Sequence, residues 1–107
     1  MKDDREYLLH IMEAIARIAQ YTSGGEESFL DDPKTQDAVV RNLEIIGEAV
    51  EQLNESFRTA RQEVPWKQIA GMRDKLIHEY FGVNLRLVWE VVSQSLPALR
   101  RSIAGAL

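Results

Sequence analysis

The segment from residue 71 to residue 82 concentrates side chains that can do acid–base and phosphate chemistry. Arg73, Asp74, His78 and Tyr80 fall within eight residues there, on a stretch that is otherwise largely apolar. Asp74 and His78 are four residues apart, so on a regular helix they share a face and the carboxylate can accept a hydrogen bond from one imidazole nitrogen. That bond would fix the tautomer of His78 and leave its second nitrogen free as a general base.

Arg73 adds a positive charge near this pair. It lies about 140° around such a helix from His78 and about 7.5 Å along it, and its side chain is long enough to reach back. These groups suit RNA cleavage, in which a base takes the 2′-hydroxyl proton, that oxygen attacks the adjacent phosphorus, and a guanidinium stabilises the added negative charge. The reaction needs no metal. Because the carboxylates do not converge with histidine at ligand spacing, we expect neither a metal site nor a cofactor.

The spacing of these residues alone leaves other interpretations open. Arg73, Asp74 and His78 could form a surface salt-bridge cluster worth about 0–1 kcal/mol and without function. Tyr80 could be a core aromatic residue with its hydroxyl at the edge. On an ideal helix it lies about 20° from Arg73 but about 160° from His78, so spacing does not fix its place in the site.

The recurrence of apolar residues at steps of three and four predicts helices around this segment. The first helical pattern stops at Ser23-Gly24-Gly25, and Asp32-Pro33 then predicts an N-cap followed by proline in the first turn. The second pattern continues without interruption to Phe57 and predicts a helix of about seven turns. The apolar positions of the two patterns are Leu8, Ile11, Ile15 and Ile18, then Val39, Leu43, Ile46, Val50, Leu53 and Phe57.

Two further helices follow in the second half of the chain. Pro65 predicts the start of the third and Gly82 its end, whereas Asn84 predicts the cap of the fourth. Pro97 predicts a kink in the fourth helix, or the confinement of its regular part to residues before Ser93. The apolar positions are Ile69, Met72, Leu76 and Tyr80, then Leu85, Val88, Val92, Leu96 and Leu99.

These patterns predict one all-α domain, residues 1–107, as an antiparallel up-and-down four-helix bundle with an additional short helical turn. Most of the large apolar residues then serve as core, including Met12, Met72, Trp66 and Trp89. Gly47 lies inside the second helix, where it costs about 1 kcal/mol relative to Ala, so we expect another helix to approach it closely.

Composition limits the class of protein further. A net charge of −4 argues against a protein that coats nucleic acid without specificity, although a local basic groove could still bind RNA. The lack of cysteine excludes disulfides and a thiol nucleophile. No apolar run approaches the ~20 residues that cross a bilayer, and the charged N-terminus does not resemble a signal peptide. We therefore expect a cytoplasmic protein that does not bind membranes.

The motif resembles a known family. Arg73-x4-His78-x-Tyr80 is similar to the R-x4-H-x-Y signature of HepT toxins in the HEPN superfamily, and its flanks extend the resemblance. These flanks are Leu43–Ala49, Pro65-Trp66 and Ile69–Arg73, so the similarity covers essentially the whole chain. It implies a HEPN-like helical fold and a metal-independent endoribonuclease that acts as the toxin of a type VII-like toxin–antitoxin system.

The resemblance also assigns roles to single residues. Arg73 and His78 match the catalytic pair, and Asp74 matches the polar position after the arginine. Tyr80 matches the tyrosine that an MntA-type nucleotidyltransferase antitoxin modifies with AMP to silence the toxin. Glu48 is left open between a group that orients Arg73 and an ordinary polar residue of the bundle.

HEPN ribonucleases generally work as homodimers with a shared cleft, and this would solve a problem in the sequence. Acid–base catalysis by two histidines needs a second imidazole, and His10 is expected at the surface or its boundary. A two-fold axis would supply a second His78 instead. Lys75 and Arg86 either add to the cationic cleft or are ordinary solvated residues.

Two other functions stay open at this point. The bundle could bind nucleotide or RNA for a partner nucleotidyltransferase without cleaving anything. It could also be a dimerisation domain with a purely structural role, in which case changing His78 would alter no phenotype.

Overall fold

The computed structural model describes residues 4–78 and 84–107, and within them every side chain except those at positions 73 and 76–78. The chain is helical throughout this part, and no strand occurs in it. The elements are α1 (Asp4–Tyr21), α2 (Gly25–Asp31), α3 (Pro33–Gln52), α4 (Glu55–Thr59), α5 (Trp66–His78), α6 (Leu85–Glu90), a π-helical turn (Val91–Ser95) and α7 (Leu96–Ala106). The predicted all-α, HEPN-like bundle is confirmed, with two short helices, α2 and α4, where one was expected.

Helix α3 lies at the centre of the packing. It packs against α1 and α5, and α7 packs against α1. Most of the predicted apolar positions that the structure describes form the core, in which Ile11, Ile46, Val50 and Leu99 are fully buried, whereas Phe57, Leu85 and Val92 pack against it while partly exposed. Trp66 and Met72 are buried as expected, whereas Met12 and Trp89 pack against the core while partly exposed. Four long helical stretches therefore bury their apolar stripes against one another.

The connection from α1 to α3 follows the predicted turn chemistry. Gly25 begins α2 with φ of +89°, in the left-handed region that residues with a Cβ rarely adopt. Asp32 then caps α3: its Oδ1 accepts from the N–H of Lys34 and its Oδ2 from the hydroxyl of Thr35. The Thr35 hydrogen bond is the main reason that the pKa of the Asp32 carboxyl is lowered. Pro33 occupies the first turn, as predicted.

The prediction that the second helix continues to Phe57 is wrong. Helix α3 ends at Gln52, and Leu53 and Asn54 are extended, with ψ of 147° and 140°. Asp4 explains the break, because its carboxylate accepts from both the backbone N–H and the side-chain amide of Asn54. Asn54 thus satisfies its donors on the start of α1 instead of continuing the helix.

One of the two alternatives predicted for the last helix is wrong. Pro97 does not confine its regular part to residues before Ser93, because regular α-helix resumes at Leu96 and continues to Ala106, and the kink stays a prediction. The chain instead widens into the π-helical turn before the proline, where the N–H of Leu96 donates to the carbonyl oxygen of Val91. Proline has no N–H for the helix ladder, and such a wider turn accommodates the missing bond.

Candidate active site

Helix α5 carries the backbone of Arg73, Asp74 and His78, and its first turn is firmly anchored. The ring N–H of Trp66 donates to the carbonyl oxygen of Arg61 at 2.9 Å. The same ring meets Phe57 edge-on, with centroids 6.2 Å apart. Ile69 and Met72 are buried against the core. A second anchor is the hydroxyl of Ser95, which donates to Oε1 of Gln68 at 2.7 Å.

The opposite face of α5 is open to solvent. Lys67, Asp74 and Lys75 are exposed, and no hydrogen bond or ion pair joins Asp74 or Lys75 to any residue that the structure describes. At 100° per residue, positions 67, 74 and 78 fall within about 40° of one another on this face. The helix that is required to place Asp74 and residue 78 on one face is therefore present.

Several predicted site features lie outside the described residues. These are the side chains of Arg73 and His78, the whole of Tyr80, and Gly82 as the predicted helix end. The chain is described again from Asn84, whose side chain accepts from the N–H of Leu87 and caps α6 as predicted. Arg86 is exposed in the first turn of α6. The hydrogen bond between Asp74 and His78 stays a prediction.

Glu48 of α3 lies at a groove that α3 shares with α1. It is exposed and lines a groove of about 460 Å³ with Tyr7 and His10 of α1. His10 is exposed as predicted. Glu48 therefore lies beside α1 within one chain. A role for Glu48 in orienting Arg73 stays a prediction.

Sequence reasoning missed a cationic groove at the start of α5. Arg58 and Lys67 line it, together with Glu55, Pro65 and Trp66. The charge distribution could have revealed it, because residues 58–75 hold five of the 13 Lys and Arg residues and only two carboxylates. Helical patterning did not, because α4 was predicted as part of the preceding helix.

Two further findings concern the described residues only. No group of three or more His, Asp or Glu side chains is arranged there to hold a metal ion. None of the helices there is long and apolar enough to cross a membrane.

Comparison with known proteins decides the family. The profile of the family described as ribonuclease HepT-like matches residues 11–105, which include the whole of α5 and the motif segment. The chain belongs to the HepT-like ribonuclease family. The resemblance predicted from the motif is confirmed.

Individual HepT-like relatives agree with this assignment. A Caldanaerobacter subterraneus protein named as a putative RNase is 49% identical over 108 residues, covering 100% of this chain and 96% of that protein. A Thermococcus cleftensis protein named "Probable ribonuclease HepT" is 46% identical over 92% of this chain and 91% of its own length. A Methanocaldococcus jannaschii protein named as a gamma-glutamylcyclotransferase and putative RNase is 48% identical over 95% of this chain but only 46% of its own length. No solved structure gives a significant match.

Proposed function

We propose that this HepT-like protein is a metal-independent endoribonuclease and the toxin of a toxin–antitoxin pair. One observation supports this most: the family match covers the Arg73-x4-His78-x-Tyr80 segment, and α5 is helical through its first two members. Asp74 forms no ion pair with a described cation, and the surface salt-bridge interpretation, which involves the side chains of Arg73 and His78, stays an alternative.

The proposed reaction follows from the chemistry of these side chains. His78, held by Asp74, takes the proton from the 2′-hydroxyl of RNA. That oxygen forms a bond to phosphorus while the bond to the 5′-oxygen breaks, leaving a 2′,3′-cyclic phosphate and a 5′-hydroxyl. Arg73 stabilises the charge on the pentavalent phosphorus, and a protonated imidazole gives its proton to the leaving oxygen.

The leaving-group acid is the reason to propose a homodimer. His10 is exposed on α1, where it lines the groove with Tyr7 and Glu48, and no side chain that the structure describes on α5 lines this groove. A symmetry-related His78 would supply the acid, and a second Arg73 would double the positive charge of the shared cleft.

We further propose that an MntA-type nucleotidyltransferase silences the enzyme by transferring AMP from ATP to the Tyr80 hydroxyl, with pyrophosphate as the leaving group. The added phosphate places negative charge two residues from His78 in sequence, which would repel the RNA backbone. Such a pair would act in the cytoplasm, where RNA substrate and nucleotide donor are both available.

Expression in a bacterial host tests the toxin proposal. We expect wild type alone to arrest growth, and Arg73→Ala and His78→Ala to be harmless at equal protein level. Toxicity that survives both substitutions would refute the catalytic assignment. Intact mass after co-expression with an MntA-type nucleotidyltransferase tests the modification: one or more AMP units on wild type and none on Tyr80→Phe support it, and an unmodified wild type contradicts it.

A further inference from the structure

The groove where α4 meets the start of α5 has a volume of about 490 Å³ and is lined by two cations, Arg58 and Lys67. Neither forms an ion pair with a described residue. The Nε atom of Arg58 is buried and has no hydrogen-bond partner in the described part of the chain. Arg61 is different, because its guanidinium stacks 3.8 Å from the Phe57 ring centroid and donates to the carbonyl oxygen of the same residue.

The backbone adds positive character to the same groove. Helix α5 follows Pro65, whose side chain cannot accept a hydrogen bond, and its first turn contains no acidic residue. The N–H groups of Lys67 and Gln68 lie in that turn, where the helix itself supplies no acceptor. Glu55 is the one carboxylate among the residues that line the groove. The arrangement is that of a site for an anion with several acceptor oxygens.

Charge is distributed unevenly along this acidic chain. Residues 58–75 hold five Arg and Lys against two carboxylates, whereas residues 24–37 hold five carboxylates against one lysine. A polyanion would therefore be repelled by α2 and the start of α3 and attracted by α4 and α5.

The exposed face of α5 connects the groove to the motif. Helical periodicity places residues 67, 71, 74 and 78 on this face, and residue 78 lies eleven residues, or about 16 Å, beyond Lys67. Gly71 lies between them, and a Cβ added there would meet no atom within 4 Å. Because residue 71 has no side chain, it does not obstruct an RNA strand that runs from the groove towards residue 78.

We propose that the groove between α4 and α5 is a phosphate-binding subsite that holds the RNA backbone a few nucleotides from the cleaved bond. Arg58 and Lys67 contact its phosphate oxygens, and Glu55 weakens the contact. The link to cleavage rests on the proposed ribonuclease function, whereas the binding itself does not.

Binding is measured with the full chain carrying His78→Ala, which prevents cleavage, and a labelled single-stranded RNA of about twelve nucleotides. We expect Arg58→Gln/Lys67→Gln to weaken binding at least tenfold. The slope of log Kd against log salt should fall by about 1.4, since each phosphate contact on a single strand contributes about 0.7. The matched control is Arg17→Gln/Arg41→Gln, which removes the same charge from exposed positions on α1 and α3 and should change Kd less than twofold.

Single substitutions keep the test valid if the double variant unfolds. Lys67→Gln is exposed and should weaken binding severalfold, whereas Glu55→Gln should tighten it. Unchanged RNA binding, or equal weakening by the control pair, would overturn the subsite. The subsite would also be overturned if the groove variants bound RNA normally and lost only the binding of an acidic protein partner. If the wild type binds RNA through the groove but never cleaves it, the ribonuclease proposal is refuted and the subsite stands. If the groove variants cleave and bind RNA normally, the subsite is refuted and the ribonuclease proposal stands.

Discussion

Ser95 donates a 2.7 Å hydrogen bond to Oε1 of Gln68, and this bond joins the π-helical turn to the helix that carries the motif. Ser95 is buried, and Gln68 lies five residues before Arg73 on α5. The irregular turn before Pro97 thus contacts the first turn of α5, ahead of the motif.

Removing this bond should destabilise the fold without abolishing chemistry. We expect Ser95→Ala to lower the free energy of unfolding by about 1 kcal/mol, the usual contribution of such a hydrogen bond. Urea unfolding of Ser95→Ala, Gln68→Ala and the double variant measures their coupling energy. Ser93→Ala is the control, because that hydroxyl bonds only to carbonyl oxygens of its own helix. Additive effects of the two substitutions would show that the bond contributes nothing.

Asp32 should make stability depend on pH at the acid end. Its folded-state pKa is lowered, so its contribution to stability is present above the unfolded-state pKa and is lost as pH falls through the folded-state value. We expect Asp32→Ala to lower Tm at pH 7, and the difference from wild type to shrink steadily below about pH 4. Asp31→Ala is the control, one residue earlier and exposed. A Tm difference that is unchanged at pH 2.5 would contradict the role of the ionised cap.

Asp74 is expected to act through His78 and not through RNA binding. Asp74→Asn should lower kcat by at least about tenfold with little change in KM, since it disturbs the general base. Lys75→Gln, the exposed neighbouring residue, should raise KM with kcat nearly unchanged if it contacts phosphate. A pure KM effect of Asp74→Asn would contradict the positioning role.

Features of the fold that depend on contacts between residues close in sequence could be predicted, whereas those that depend on distant residues could not. The caps at Asp32 and Asn84 were predicted because a cap is decided within three residues. The break at Leu53 was not, because it depends on Asp4, fifty residues away in sequence. Apolar spacing is the same on both sides of this break, so periodicity alone could not reveal it.

The candidate site divides in the same way. The motif and its helix could be predicted from local sequence. The family match covers the motif segment, and α5 is helical as expected from Trp66 to His78. The excess of Lys and Arg over residues 58–75 is visible in the sequence, but the position of the cationic groove is not, because Arg58 and Lys67 belong to different helices and meet through the turn at Pro65. Glu48 is a second example of a long-range relationship, since nothing in its local sequence indicates that it shares a groove with Tyr7 and His10.

A dimeric enzyme should lose activity on dilution. If each site needs a second His78, specific activity should fall as the protein concentration drops below the dimer Kd. Light scattering or sedimentation measures that Kd independently, and the two midpoints should agree. Constant specific activity in a range where the protein is monomeric would show that one chain suffices.

Cleavage of RNA in excess EDTA, with analysis of the new ends, tests the ribonuclease proposal most directly. We expect wild type to produce 2′,3′-cyclic phosphate and 5′-hydroxyl ends. We expect Arg73→Ala and His78→Ala to be slower by at least about a hundredfold, the contribution of a single catalytic acid–base or charge-stabilising group. RNA bound without cleavage, cleavage at an unchanged rate by His78→Ala, or ends with 5′-phosphate would contradict the proposed mechanism.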